Sequence, residues 1–297
     1  MIPRKPPPGL LGYVPKKPRH PYPFPERLER KDPPMTIAAG FLCRDGIVIC
    51  ADSEVSTDLE KFEESKIFSL NAEQDSQHPT IIFAGSGWFD FVKMTVDKIQ
   101  RRSLFAANRF EIEEIVENTV LEVNRKHIRY YPTDPKPFFN LLVGIRDESG
   151  LSLLLTAGTS VNRITQYACI GIGDTLANYL ARGLTPQRET SQEAALLAVQ
   201  ILDQVKSNVP GCGGLFSEVV ILPKQGAVSR IVPSKLIDIE YRARDFNILL
   251  KPLLMSFSNP TIPDNEFEAK LAEFNEQCRR VREEAKERLE RARRRKV

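Results

Sequence analysis

Met35-Thr-Ile-Ala-Ala-Gly-Phe-Leu-Cys-Arg-Asp45-Gly-Ile-Val-Ile-Cys-Ala-Asp52-Ser, followed after a polar loop by Ser65-Lys-Ile-Phe68, is the stretch that decides the fold. Two apolar runs, 37–43 and 47–51, flank Asp45-Gly46. That dipeptide suits a type I′ turn in which both central residues take positive φ, so the spacing predicts a β-hairpin. Folding the second run back on the first sets Asp52 opposite the start of the first strand, close to Thr36. Lys66 follows the loop and precedes another short apolar run. Local topology thus gathers a hydroxyl, a carboxylate and an amine.

A threonine hydroxyl is a weak nucleophile without a base in reach. As the first residue of a mature chain, Thr36 would supply that base through its own α-amine, whose reference pKa is about 8. Lys66 would hold the local pKa values down, and Asp52 would keep Lys66 ionised and oriented. Taken singly, a Thr-Ile strand start, an Ala-Asp-Ser strand exit and a lysine before a strand are ordinary β-structure. Taken in this order, the segment resembles the N-terminus of the proteasome β-type subunit family of N-terminal-nucleophile hydrolases. The nearest likeness is to the bacterial proteasome-like subunits and their ancestral-β-subunit relatives. The resemblance implies that Thr36, Asp52 and Lys66 are the catalytic set.

The rest of the chain keeps the family's order. Thr80–Gly87 reads as a buried strand ending in a glycine turn, and apolar residues at three- and four-residue spacing predict helices over 89–103 and 111–128. Strands follow at 138–145, 151–157 and 164–169, then helices at 174–182 and 192–207, then strands at 217–222 and 228–232. Strands, helix pair, strands, helix pair, strands implies an α+β fold, a four-layer αββα sandwich. It spans 36–232, between a Pro-rich leader or propeptide, 1–35, and a helical, charged extension, 233–297. Eleven of the 22 prolines fall within residues 1–34, and that density favours extended or disordered chain. The extension reads as a helix over 236–254, kinked at Pro252, and a long charged helix over 265–296.

By the same resemblance, Gly85 in Ala84-Gly85-Ser86-Gly87 supplies the backbone N–H that receives the oxyanion, a donor worth roughly 3–4 kcal/mol of barrier. Val55, Phe83 and Gly87 line the pocket for the residue before the scissile bond. Two places depart from the pattern. The serine that bonds the N-terminal amine is Ile172 here, in Gly171-Ile172-Gly173. The family's aspartate position is Val209, and Cys212 replaces its Ser. Asp174 and Asn208 are the nearby polar candidates to substitute.

Composition bounds the rest. The chain has 297 residues, 41% of them hydrophobic, and no apolar run long enough for a transmembrane helix. Five cysteines without metal-type spacing and three scattered histidines imply no metal site and no cofactor, and suggest a reducing, cytoplasmic setting. The net charge of +3 hides two basic ends and an acidic body. Charge runs of this kind are usually solvated surface, and nucleic acid is not an expected partner. The function expected from the resemblance is a threonine-type endopeptidase subunit acting on polypeptides, self-associating into a ring, with an ATP-dependent unfoldase as a possible partner. Alternatives are a non-catalytic ring subunit of the same fold and an amidase acting on a small molecule. Met35 is the favoured start, because its removal exposes Thr36. A site open to substrate further predicts that Lys66→Ala leaves the fold nearly unchanged.

Overall fold

In the computed structural model, β1 (Ile37–Leu42) and β2 (Gly46–Asp52) form the expected antiparallel hairpin, with Ala38 opposite Ala51 and Leu42 opposite Ile47. The structure describes residues 36–56, 61–71, 78–132, 135–182, 190–259 and 261–294. The leader read from the sequence at 1–35 lies outside them. The turn differs from the type I′ expectation, since neither Asp45 nor Gly46 is among the positive-φ residues. Glycine is needed at 46 for another reason. A Cβ there would lie 2.8 Å from the Leu222 carbonyl oxygen of the neighbouring strand. Asp45 serves the next layer, accepting the Ser191 backbone N–H at 2.6 Å.

Beyond the hairpin, a short ribbon pairs β3 (Glu54–Ser56) with β4 (Lys61–Glu63). The strands β5 (Ile67–Leu70), β6 (Thr80–Gly87), β7 (Phe139–Asp147), β8 (Gly150–Ala157) and β9 (Ser160–Ile164) make one antiparallel sheet in that order. The other sheet, also five-stranded, runs β10 (Tyr167–Gly171), β1, β2, β11 (Ser217–Pro223), β12 (Ser229–Arg230). The single strand expected over 164–169 is thus two strands in different sheets. The chain turns at Gly158 (φ +61°), runs back as β9, and crosses over before Tyr167.

Helices α1 (Phe89–Ser103) and α2 (Arg109–Val123) follow β6, with a π-helical turn over Asn124–Ile128. Helices α3 (Asp174–Ala181) and α4 (Ser191–Asn208) follow β10. Thr190 and Glu193 form a capping box that starts α4, each satisfying a backbone donor the helix leaves open. Strand periodicity distributes the core. In β2, Val48 and Cys50 pack with Ala198, Leu202 and Val205 of α4. The alternate residues Ile47, Ile49 and Ala51 join Ile82, Ala84 and Leu142 where the two sheets face. On the far side, Phe83, Val143 and Ile145 pack with Val92, Val96, Ile112 and Val116 of α1 and α2. Both faces of the central strands are therefore covered, which is why β2 and β6 read as nearly unbroken apolar runs.

After β12 come α5 (Pro233–Phe257), which continues through Pro252 as one 25-residue helix, and α6 (Asp264–Arg294). Leu236 of α5, 1% exposed, belongs to the same cluster as Ala198 and Val219. The described residues fall in one compact unit.

Candidate functional site

Thr36 precedes β1, and hairpin pairing brings the last residue of β2, Asp52, beside it. The Thr36 hydroxyl donates to Asp52 Oδ1 at 2.6 Å, and the Ile37 backbone N–H reaches the same oxygen at 3.2 Å. Lys66 stands immediately before β5, in the opposite sheet. Its Nζ donates to Asp52 Oδ1 at 2.6 Å and to Thr36 Oγ1 at 2.5 Å. The Thr36 hydroxyl is therefore a donor to a carboxylate and an acceptor from an ammonium at once. The cluster is buried, with Thr36 4%, Asp52 0% and Lys66 3% exposed. The expectation of an open site is corrected, and with it the expectation that Lys66→Ala would leave the fold nearly unchanged. A buried pair broken on one side leaves a charge without compensation.

Several residues that hold this cluster were not singled out from the sequence. Gly213 donates its backbone N–H to Asp52 Oδ2 at 3.1 Å. Glu218 Oε2 accepts the Lys66 backbone N–H at 3.1 Å and the Ser65 hydroxyl at 2.9 Å, while Arg230 donates to the Ile67 carbonyl at 2.8 Å. Ser53 Oγ accepts the Phe216 N–H at 3.3 Å and adjoins the Glu63 carboxylate, which takes the Leu215 N–H at 2.8 Å. The only sequence signal for these contacts was Gly213-Gly214. Gly171 has φ +106°, and a Cβ there would lie 2.1 Å from the Thr36 carbonyl oxygen, so glycine lets β10 run against the candidate nucleophile. Cys212 lies close by. Burial first, and then the Asp52 charge, push its thiol up to about 12.

The other expected site residues occupy structural places. Gly85 sits one position beyond the Ala84–Ile67 pair, beside Lys66, and pairs with Leu141 on its other side. A Cβ at Gly85 would lie 2.2 Å from Val92 Cγ1, so glycine there also admits α1. Val55 is buried in the ribbon opposite Phe62. Phe83, expected to line a pocket, is fully buried in the core beneath α1 and α2. Gly87 takes φ +95° at the end of β6, where a Cβ would lie 2.3 Å from the Phe138 carbonyl oxygen. Ile172 is exposed, and Val209 is the C-cap of α4. Asp174 accepts from Thr175, and the Asn208 amide donates to the Gln204 carbonyl. Neither bonds Thr36 among the described contacts. Among the described residues no group of three His, Cys, Asp or Glu side chains is placed to hold a metal ion, and no helix is long and apolar enough to cross a membrane.

Two antiparallel five-stranded sheets, with a Thr–Asp–Lys cluster at the start of the central hairpin, give the chain a proteasome-like α+β fold. Among solved structures it is similar to Anbu (ancestral beta-subunit) from Yersinia bercovieri, at 18% identity over 77% of this chain and 100% of that one, with a TM-score of 0.63. It is also similar to the Pseudomonas aeruginosa Anbu complex solved as a helical assembly (13% identity, 77% and 99% covered, TM-score 0.65). A third similar structure is a Gly-1 mutant of Anbu from Hyphomicrobium (15% identity, 77% and 99% covered, TM-score 0.62). No family model and no curated protein matches the chain. These findings correct the membership expected from the sequence. The structures it resembles are ancestral β-subunits, proteasome-like but distinct from the proteasome β-type family, and at these identities the likeness is one of fold.

Proposed function

We propose that the chain is a threonine-type N-terminal-nucleophile hydrolase acting on peptide bonds, built as a four-layer αββα sandwich. The observation that carries this reading is the buried Thr36 hydroxyl held between Asp52 and Lys66. With Met35 attached, the Thr36 nitrogen is an amide with no basic lone pair, so the active form has a free Thr36 amine. That amine takes the hydroxyl proton as Oγ1 attacks the carbonyl carbon of the scissile bond. The Lys66 ammonium favours the neutral amine and the developing alkoxide, and Asp52 holds Lys66 in place. Gly85, next to Lys66, supplies the N–H for the oxyanion. The proton then passes to the departing amine, leaving an ester on Thr36, and water attacks the ester to release the acid and restore the hydroxyl. Gly85 is a catalytic residue in this scheme.

In line with the helical assembly of the Pseudomonas protein, we extend self-association to this chain. It would confine a peptidase in a cytoplasm whose reducing conditions suit five free cysteines, and an ATP-dependent unfoldase would deliver polypeptide to it. A second reading, a non-catalytic subunit of the same fold, is favoured by the 4% exposure of Thr36 and by Ile172 where an amine partner would stand.

The test is intact-mass analysis of the protein from its native host together with hydrolysis of fluorogenic peptides. The expected result is a chain beginning at Thr36 that cleaves peptides and a Thr36→Ala variant that does not. A chain that keeps residues 1–35 and is inactive selects the scaffold reading. Turnover of small amides without any peptide cleavage selects the amidase.

A further inference from the structure

We infer that α5, although it lies beyond the last strand, is a strut for the candidate site, and that Glu240 is its positioning residue. Glu240 is a carboxylate only 7% exposed. It accepts the Ser217 hydroxyl at 2.6 Å and lies 3.6 Å from Lys206 Nζ, which itself donates to Ser217 Oγ at 3.3 Å. Ser217 is the first residue of β11 and stands opposite Asp52 in the β11–β2 ladder. Its neighbours complete the hold. Gly213 bonds Asp52, Phe216 bonds Ser53, and Glu218 bonds the Lys66 backbone. Glu240 therefore anchors, from the far side, the segment 213–218 that fixes two members of the Thr36 cluster.

The seam is specific. Asp203 and Lys206, three residues apart on α4, meet Arg244 and Glu240, four apart on α5, with Arg244 Nε 2.6 Å from the 1%-exposed Asp203. Opposite polarity at the two pairs sets one register for α5. Without α5, Asp203, Lys206 and Ser217 would lose these partners, and a buried charge without compensation is costly. The arrangement explains why a helix outside the sheet framework carries a buried carboxylate.

The kinetic consequence rests on the hydrolase reading, while the positioning does not, so the test uses both readouts. Hydrogen exchange read by mass spectrometry on the full chain compares wild type, Glu240→Gln and Glu240→Ala. Glutamine keeps an acceptor for Ser217, and alanine does not. Loss of one buried bond should speed exchange in 211–218 and 50–54 by about tenfold in Glu240→Ala. Glu240→Gln, which keeps the acceptor for Ser217 but leaves the Lys206 charge unpaired, should fall between wild type and Glu240→Ala, and β6 and β7 should be unchanged in both. In peptide hydrolysis, Glu240→Ala should lower kcat with little change in KM, with activity partly restored in Glu240→Gln. Unchanged exchange at 50–54 and 211–218 in Glu240→Ala overturns the inference. So does an equal rise across both sheets, which would mark a purely structural role. A wild-type protein that hydrolyses nothing removes the hydrolase reading, and the exchange pattern still decides the role of Glu240.

Discussion

Gly213 and Asp52 are 161 residues apart in the chain, yet the backbone N–H of one donates to the carboxylate of the other at 3.1 Å. Asp52 therefore spends both oxygens. Oδ2 goes to Gly213, and Oδ1 goes to Thr36, Ile37 and Lys66. A fully buried carboxylate with four donors is satisfied, and the donors depend on it in return.

That dependence sets the first prediction. Lys66→Ala should cost roughly 3–5 kcal/mol of stability, because it strands the Asp52 charge. Asp52→Asn, which strands the ammonium instead, should cost a similar amount. Urea denaturation midpoints measure both. In the active form, either change should lower peptide hydrolysis by at least about a thousandfold, as loss of one member of a cooperating set does. A Lys66→Ala protein of wild-type activity would remove Lys66 from the mechanism.

Gly171→Ala should be more damaging than a left-handed glycine elsewhere. Gly158 (φ +61°) has nothing within 4 Å of an added Cβ, so Gly158→Ala bears only the backbone penalty, on the order of 1–2 kcal/mol. At Gly171 the Cβ would also strike the Thr36 carbonyl oxygen at 2.1 Å, and backbone must move. A larger loss of melting temperature, together with displaced Thr36 amide resonances, is the expected outcome. Equal losses in the two variants would mean that the contact with Thr36 carries no strain.

The buried thiols make stability fall on the alkaline side. Burial first, aided by Asp174 for Cys169 and by Asp52 for Cys212, pushes both thiols up to about 12. The unfolded chain ionises them near 8.5. The folded pKa is the higher one, so the unfolded state releases protons first. Their contribution to stability is whole below about 8.5 and is lost progressively as pH rises toward 12. Melting temperature should fall between pH 8.5 and 10, less steeply in Cys212→Ser. At pH 8, iodoacetamide should modify the part-exposed Cys278 well before Cys169 or Cys212. Rapid labelling of Cys212 would show that the turn over Asp52 opens.

Self-association is checked by light scattering at micromolar concentration. Species several times the 33.6 kDa chain mass are expected. A monomer alone would remove the assembly proposal.

Within residues 36–68, the sequence determined the hairpin and the neighbourhood of the cluster, whereas the β3–β4 ribbon lies where only a polar loop was expected. The hairpin register and the meeting of Thr36, Asp52 and Lys66 follow from alternating side chains and a short connection, interactions that spacing records directly. Even there, Asp45-Gly46 was chosen for reasons the dipeptide does not reveal, namely the cap on α4 and the approach of Leu222. The helix pairs and most strands were likewise legible, the helices because burying one face leaves a period in the residues that line it, and central strands such as β2 and β6 because burial on both faces leaves a short apolar run. Tertiary structure alone decided that the cluster is closed rather than open. It also decided that Phe83 is core rather than pocket, and that the 164–169 run is split between two sheets. It alone brought Gly213, Glu218 and Glu240 to the site. A backbone N–H has no sequence signature, and a glutamate on a helix reads as solvated surface until a partner such as Ser217, 23 residues away, is found beside it in the fold. Contacts of that kind are set by how layers stack, and stacking follows from the summed burial of all the faces rather than from any one stretch of chain.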